Sequence, residues 1–158
     1  MGVSVITIRP FESSDIQSAV ALETEAQPVP WTEGVFHAEL SAENGIYLVA
    51  ESEGAVIGFV GVVLVGEEAH VTNLLVAPGH RRMGVGRRLM SDLIRATIAD
   101  GARHLTLEVR SQDQAARNFY AKFRFAPVGV RSDYYGDDDA LIMWAHDIDL
   151  PDYLEKLA

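Results

Sequence analysis

The sequence of 158 residues contains no cysteine, which excludes a disulfide framework, a cysteine-ligated zinc site, an iron–sulfur cluster and a thiol nucleophile. It also lacks a long apolar run, since the longest, residues 55–66, falls well short of the ~20 residues that a membrane span requires. The N-terminus has no basic region followed by a long apolar block, so a secretory signal is not expected. These absences predict a soluble cytoplasmic protein.

Positive charge is scarce, because 13 basic side chains stand against 23 acidic ones and the formal net charge is −10. Such acidity disfavours non-specific nucleic-acid binding, which depends on neutralising phosphates, and it is compatible with a cationic substrate. Apolar residues make up 48% of the chain, which is ordinary for a globular protein. The length fits one domain. We expect a single domain over residues 1–158, as a monomer or dimer that needs neither membrane nor nucleic acid.

The five histidines show neither an HExxH motif nor the i, i+4 pairing that is typical of zinc ligands. They are His37, His70, His80, His104 and His146. We expect surface or capping roles for them, and no metal site. The acidic run Asp137–Asp139 lacks the spacing of a calcium loop and is expected to form a solvated turn.

Strand and helix patterns alternate along the chain. Polar and apolar residues predict strands over about 4–9, 46–51, 55–65, 71–76, 105–109, 126–132 and 140–147. Helical spacing predicts helices over about 13–26, 32–42, 85–99 and 114–123, the first capped by Ser13 or Ser14 and the second by Thr32. This order predicts a mixed sheet of about seven strands with helices on both faces, in the α/β or α+β class.

A glycine loop, Arg81-Arg82-Met83-Gly84-Val85-Gly86, joins a predicted strand to the most regular predicted helix. Its glycines lack the Cβ atoms that would keep a ligand from the backbone, and the first N–H groups of a helix have no intrahelical partner. With Arg87 and Arg88, four arginines fall within eight residues, which is typical of a phosphate site. The loop matches neither a P-loop nor the dinucleotide fingerprint, which would need glycine or alanine at Leu89. A tight turn with surface arginines is the alternative.

The loop resembles the pyrophosphate-binding motif of the GCN5-related N-acetyltransferases (GNAT), in which acetyl-CoA lies between two parting strands of a splayed mixed sheet. The resemblance covers about residues 4–148 and extends to the RimI-type ribosomal-protein alanine N-acetyltransferases. Its supporting segments are Pro30–Thr32, Asn73–Val76, Leu107–Arg110, Ala115–Tyr120, Val130–Tyr135 and Asp139–Met143. It implies that acetyl-CoA is the donor, without a metal, and that its binding residues are Leu75, Val76, Arg81, Arg82, Met83, Gly84, Val85, Gly86 and Arg87.

Glu108 lies in the middle of the predicted strand 105–109, where a carboxylate is costly unless it is paired or functional. Alternation places Thr106, Glu108 and Arg110 on one face of that strand. One interpretation is an ion pair with Arg110 or Arg103. The family resemblance implies instead a general base, which takes a proton from the attacking ammonium directly or through water.

Tyr120 lies on the helix after that strand, turned about 100° from its neighbour Phe119. A phenol with a pKa of ~10 can donate a proton to a departing thiolate, whose reference pKa is ~8.5. Tyr120 could be a half-buried packing residue, whereas the family resemblance implies a general acid. The resemblance also places four residues in segments that line a peptide groove, namely Trp31, Glu33, Tyr134 and Tyr135, although a Tyr-Tyr pair is equally consistent with packing.

The acceptor is predicted from the pKa of the amine. A protein α-amine has a pKa of ~8 and a lysine ~10.4, so deprotonating lysine costs about 3.4 kcal/mol more. We therefore expect an acetyl-CoA-dependent N-acetyltransferase acting by direct attack on the N-terminus of a protein such as a ribosomal protein. A lysine or small-amine acetyltransferase and a non-catalytic acyl-CoA-binding module remain alternatives. Two positions depart from the family pattern, since Arg124 replaces a helix-ending glycine and Asp113 an asparagine that helps to hold the cofactor.

Overall fold

The computed structural model describes residues 5–81 and 83–157. Ser4, predicted to begin the first strand, and Arg82 of the glycine loop lie outside the described residues. The strands are β1 (Ile6–Pro10), β2 (Gly45–Ser52), β3 (Ala55–Val65), β4 (Glu68–Val76), β5 (His104–Arg110), β6 (Ala126–Arg131) and β7 (Ala140–Ala145). The α-helices are α1 (Ile16–Ala26), α2 (Glu33–Ser41), α3 (Val85–Ala99), α4 (Gln114–Ala121) and α5 (Pro151–Glu155).

The strands form a seven-stranded sheet in the order β1-β2-β3-β4-β5-β7-β6. Antiparallel pairing joins β1 to β2, β2 to β3, β5 to β7 and β6 to β7. The pairing of β4 with β5 is parallel and sets His70 opposite Thr106. The sheet is therefore mixed, and the α/β (α+β) prediction is confirmed.

The described chain divides into two compact units, the first of residues 5–63 and 72–97 and the second of residues 64–71 and 98–157. The core of the first unit is rich in aromatic side chains from both helices and strands, including Phe11, Phe36, Tyr47 and Phe59. In the second unit the buried side chains of β5 are Leu105, Leu107 and Val109. The predicted alternation of that strand is therefore confirmed, with Glu108 on the less buried face.

Local sequence signals set several element boundaries. The Thr32 hydroxyl oxygen accepts the N–H of Val35 at 3.3 Å and so caps α2 as predicted. Helix α3 spans the predicted residues, and it ends before Gly101, whose φ of 97° is a left-handed conformation that favours glycine. No helix within the described ranges is long and apolar enough to cross a bilayer.

Three local predictions are wrong. Neither Ser13 nor Ser14 caps α1, because both lie in a 3-10 turn in which the N–H of Glu12 donates to the Asp15 carboxylate at 2.8 Å. Strand β4 begins at Glu68 rather than Val71, so His70 is a strand residue. Helix α5 was not predicted, because it is five residues long and too short to show helical periodicity.

Candidate active site

The glycine loop begins where β4 ends. The N–H of Ala77 donates to the carbonyl of Ile57 at 2.7 Å, and a 3-10 turn over Pro78–His80 follows. Gly84 has a φ of 79°, and its carbonyl accepts the N–H of Arg88 at 3.0 Å as α3 begins. The first turn of α3 is therefore a helix N-terminus preceded by a left-handed glycine. This arrangement is chemically suited to a phosphate.

Two arginines of the loop are held by backbone carbonyls within the first unit. Arg81 donates from Nε to the carbonyl of Val76 at 3.3 Å, and Arg88 donates from Nη1 to the carbonyl of Ile6 at 2.6 Å. Both side chains are exposed, as are Met83 and Arg87. Arg81 therefore lies beside the end of β4, next to Val76, which is predicted to bind acetyl-CoA.

The end of β4 is held close to β3 by a glycine. A Cβ built on Gly58 would lie 2.9 Å from the carbonyl oxygen of Leu75 and 3.2 Å from the Leu89 side chain. The side chain of Leu75 is buried in the core of the first unit. Leu75 is consequently suited to bind a ligand through its backbone groups, as the sequence analysis expects.

The segment between α1 and α2 is anchored by a buried acid that the sequence analysis did not select. Glu23 is 1% exposed, and its Oε1 accepts the N–H of Trp31 at 3.1 Å. Burial raises the pKa of Glu23, while the Trp31 N–H and the Asn73 side chain oppose that shift. Among the described residues, Oε2 of Glu23 has no hydrogen-bond partner. The Trp31 ring packs edge-on against Phe36, with ring centroids 5.3 Å apart.

Glu33, the other residue predicted for the acceptor groove in this part of the chain, is exposed at the start of α2. Its Oε1 lies 3.6 Å from Nε2 of His37, one helical turn later. Both members of this pair are more than half exposed, so the pair contributes little to stability. In the sequence, Trp31 and Glu33 thus directly precede and follow Thr32, the residue that caps α2.

Glu108 lies beside two basic side chains of the second unit. Its side chain is 14% exposed, and its Oε2 lies 2.5 Å from Nε2 of His70 on β4. Nη1 of Arg131, on β6, lies 3.8 Å from its other oxygen. The His70 side chain is 44% exposed, as expected of a surface histidine, and its imidazole is also a direct partner of the proposed base.

The alternative interpretation of Glu108, an ion pair with Arg110 or Arg103, is wrong. Arg110 donates to Asp137 at 2.5 Å, and Arg103 reaches Asp149 at 3.3 Å. Alternation predicts the face on which Glu108 lies, but the partner comes from the neighbouring strand. Finding His70 from sequence would have required the register between β4 and β5.

Tyr120 lies on α4 in contact with two other rings, those of Phe119 and Phe125, at centroid distances of 5.2 Å and 5.7 Å. Burial raises the pKa of Tyr120 well above its ordinary value, and the charges of Asp113 and Tyr135 raise it further. The residue therefore packs and also carries a phenol that stays protonated, so the two interpretations of the sequence are compatible.

Tyr134 and Tyr135 follow β6, and each lies under an arginine. The guanidinium of Arg110 is 4.5 Å from the Tyr135 ring centre, and that of Arg131 is 5.2 Å from the Tyr134 ring centre. Burial is the main cause that raises the pKa of Tyr135 to about 12, and the Glu108 charge adds to it. The second unit therefore brings Tyr135 into electrostatic contact with both proposed catalytic side chains.

The two departures from the family pattern have structural roles. Arg124 adopts a left-handed φ of 65° after α4 and donates to Asp152 at 2.8 Å, so a non-glycine residue makes this turn. Asp113 caps α4, because its Oδ1 accepts the N–H of Ala116 at 3.1 Å. A helix cap needs only a short side chain with an acceptor oxygen, which aspartate and asparagine both provide.

The acidic turn is more ordered than the sequence predicts. Asp138 accepts the Ser111 hydroxyl at 2.6 Å, and Asp139 accepts the N–H of Asp133 at 2.8 Å. These carboxylates therefore cap backbone and side-chain donors of the loop rather than serving only as solvated charges. Across the ranges that the structure describes, no three histidine or acidic side chains cluster as metal ligands would.

The family model described as the acetyltransferase (GNAT) family matches residues 16–125, more than half of the chain. This chain belongs to the GNAT family. It is therefore an N-acetyltransferase by family, which confirms the resemblance and the enzyme class predicted from the sequence.

Several relatives of this GNAT chain carry one substrate in their names. The [ribosomal protein bS18]-alanine N-acetyltransferase of Escherichia coli K12 is 33% identical over 141 residues, covering 87% of this chain and 95% of that protein. A chain from Bacillus subtilis, named as a candidate for the same activity, is 36% identical over 141 residues, covering 87% and 93%. The crystal structure of the Escherichia coli S18-alanine enzyme superposes with a TM-score of 0.84 at 31% identity, covering 90% of this chain and 94% of that one.

Proposed function

We propose that this chain transfers the acetyl group of acetyl-CoA to the α-amine at the N-terminus of a protein, with a ribosomal protein as the substrate class. The observation that carries the proposal is the similarity over 87% of the chain to proteins named for the alanine of ribosomal protein bS18. Those relatives are matched over at least 93% of their own length. We also propose that residues 1–158 form a single acetyltransferase domain.

The proposed donor site consists of the end of β4 and the glycine loop. The amides that begin α3 supply N–H donors for a pyrophosphate, and the arginines around them supply positive charge on an otherwise acidic chain. Residues 81–87 would hold the phosphates, while the backbone of Leu75 and Val76 would meet the acyl arm. A backbone N–H there would polarise the thioester carbonyl as an oxyanion-hole donor does.

The proposed chemistry is direct attack of the amine on the thioester. Glu108 accepts the proton of the ammonium, which leaves the nitrogen lone pair free to form the bond to the acyl carbon. The carbon–sulfur bond then breaks, and Tyr120 gives its phenolic proton to the sulfur. The acylated nitrogen loses its second proton to water, from which Tyr120 is reprotonated, and Glu108 releases its own proton to solvent. Burial raises the pKa of Tyr120, so the phenol is protonated at neutral pH, as it would be at the ordinary value of ~10. Trp31, Glu33, Tyr134 and Tyr135 are proposed to contact the acceptor.

The test is thiol release from acetyl-CoA with a peptide that begins with alanine, compared in wild type, Glu108→Gln and Tyr120→Phe. Each substitution should lower kcat by roughly 10²- to 10⁴-fold, the range of general acid–base catalysis, while calorimetry shows unchanged binding of coenzyme A. The matched controls are Glu155→Gln and Tyr153→Phe, both on α5, which should keep the wild-type kcat.

Mass spectrometry of the product decides the acceptor. Acetylation of the α-amine supports the proposal, whereas acetyl transfer only to lysine of an N-terminally blocked peptide, or only to a polyamine, would replace it. Binding of coenzyme A without thiol release for any amine would indicate a non-catalytic module. A wild-type kcat in either active-site variant would remove that residue from the mechanism.

A further inference from the structure

We propose that His70 is a positioning residue for Glu108, and that it holds the carboxylate in the orientation that accepts the substrate proton. The inference rests on the proposed function, because it needs Glu108 to be the base. Its basis is the distance of 2.5 Å between Nε2 of His70 and Oε2 of Glu108. No signal in the linear sequence links these two residues, which stand 38 positions apart.

The register of the sheet places the two side chains together. His70 on β4 is the direct partner of Thr106 on β5. Glu108 lies two residues after Thr106, and side chains two residues apart point to the same face of a strand. His70 therefore meets Glu108 diagonally across a parallel pair of strands, and both residues belong to the second unit. Because the strand backbones fix both Cβ positions, the hydrogen bond has little freedom to shift.

The difference in exposure gives each side chain a distinct part. The Glu108 side chain is 14% exposed and that of His70 is 44% exposed. A glutamate side chain has several rotatable bonds, so it populates unproductive rotamers unless a hydrogen bond fixes one of its oxygens. With Nε2 protonated, His70 donates to Oε2 and leaves Oε1 to receive the proton. In that step an N–H bond of the ammonium breaks, an O–H bond forms on Glu108, and His70 keeps its own proton.

The charge of His70 decides whether it helps or hinders the base. The charged and titratable groups around the pair are Arg131 of β6, Tyr135 of the segment before β7, Arg110 of β5 and Glu68 of β4. Arg110 is already bound to Asp137. A protonated His70 would place a full positive charge beside the carboxylate and weaken it as a base. A donor that carries no charge would hold the oxygen without that effect, and a glutamine at this position provides such a donor.

The test compares His70→Ala, which removes the donor, with His70→Gln, which keeps an N–H donor that cannot be charged. His70→Ala should lower kcat about tenfold with little change in KM for acetyl-CoA, as expected when a reacting group loses its orientation. His70→Gln should keep most of the wild-type kcat. This rescue by glutamine, with an unchanged KM, is a result that a merely structural role of His70 would not give.

The controls separate this inference from the proposed function. His146→Gln changes an exposed histidine of the same unit and should behave as wild type. If Glu108→Gln is slow but His70→Ala keeps its kcat, the role of His70 is overturned and the base stands. Equal losses in both His70 variants with a lowered melting temperature would also overturn it as a merely structural effect. A wild-type rate in Glu108→Gln would instead overturn the proposed base.

Discussion

At the scale of the residue, Glu23 is a carboxylic acid in a place where a charge is costly. It is 1% exposed, one of its oxygens accepts the N–H of Trp31, and the other has no partner within the described ranges. Burial raises its pKa, so the unfolded chain releases this proton at a lower pH than the folded chain does. The stability that Glu23 contributes is therefore complete below the unfolded pKa and is lost as the pH rises through the folded one.

Glu23→Gln should remove this pH dependence, because the amide keeps an acceptor oxygen for the Trp31 N–H and cannot ionise. In urea unfolding, the free energy of unfolding of the variant relative to wild type should increase between pH 4.5 and pH 8. The increase corresponds to ~1.4 kcal/mol for each unit by which the pKa is raised. Glu25→Gln, an exposed acid on the same helix, is the matched control and should show the wild-type dependence. A gap that stays constant with pH would contradict the argument.

At the scale of the element, Gly58 of β3 is important because it has no side chain. A Cβ on Gly58 would lie 2.9 Å from the carbonyl oxygen of Leu75 and 3.5 Å from the Cα of Val76. The first of these distances is shorter than van der Waals contact, and a backbone atom cannot turn aside as a side chain would. The position of the proposed donor strand therefore depends on a missing methyl group in its neighbour.

Gly58→Ala should lower the free energy of unfolding by about 1–3 kcal/mol, the usual cost of overpacking, and raise the KM for acetyl-CoA. The matched control is Gly79→Ala, since a Cβ there meets no described atom within 4 Å. That control also carries the entropic gain of replacing glycine in the unfolded chain. Thermal unfolding and initial-rate kinetics measure both effects. Equal stability and equal KM in the two variants would show that β4 can shift to accommodate the added methyl group.

The elements differ in how far the sequence predicts them, and the reasons are physical. Helix α3 was predicted in full because its apolar side chains repeat on one face and Gly101 ends it. The start of β4 was placed too late, since Glu68 and His70 are polar and belong to the strand through pairing with β5. That pairing is a non-local contact, so His70 was missed. The roles of Glu108 and Tyr120 could be proposed because the family resemblance covers the segments that contain them.

At the scale of the whole molecule, the charge of the chain is the property that an acceptor meets first. The formal net charge is −10, although four arginines are gathered at the glycine loop. A field of one sign acts over a distance of about 10 Å at 0.1 M salt and draws in solutes of the opposite sign. An acceptor N-terminus followed by basic residues should therefore reach this protein faster than one followed by acidic residues.

Two peptides with the same N-terminal alanine, one with lysines and one with glutamates further along, test this expectation. The kcat/KM of the basic peptide should exceed that of the acidic one by about tenfold at low salt, within the range of electrostatic steering. The difference should shrink as sodium chloride is raised toward 1 M, where screening acts within ~3 Å. A serine-rich neutral peptide provides the reference. A preference that does not change with salt would point to direct contacts instead of the overall charge.

The hydrogen bond from Arg88 to the carbonyl of Ile6 can form only late in the synthesis of the chain. The two residues stand 82 positions apart, so at ribosomal speeds of 5–20 residues per second Ile6 emerges roughly 4 to 16 s before its partner. During that delay β1 can already pair with β2, its partner in the final sheet, from Ile6 to Pro10. Since β1 stands at the edge of the described sheet, β2 pairs with only one of its sides, and Arg88 can bind the Ile6 carbonyl only after α3 is translated.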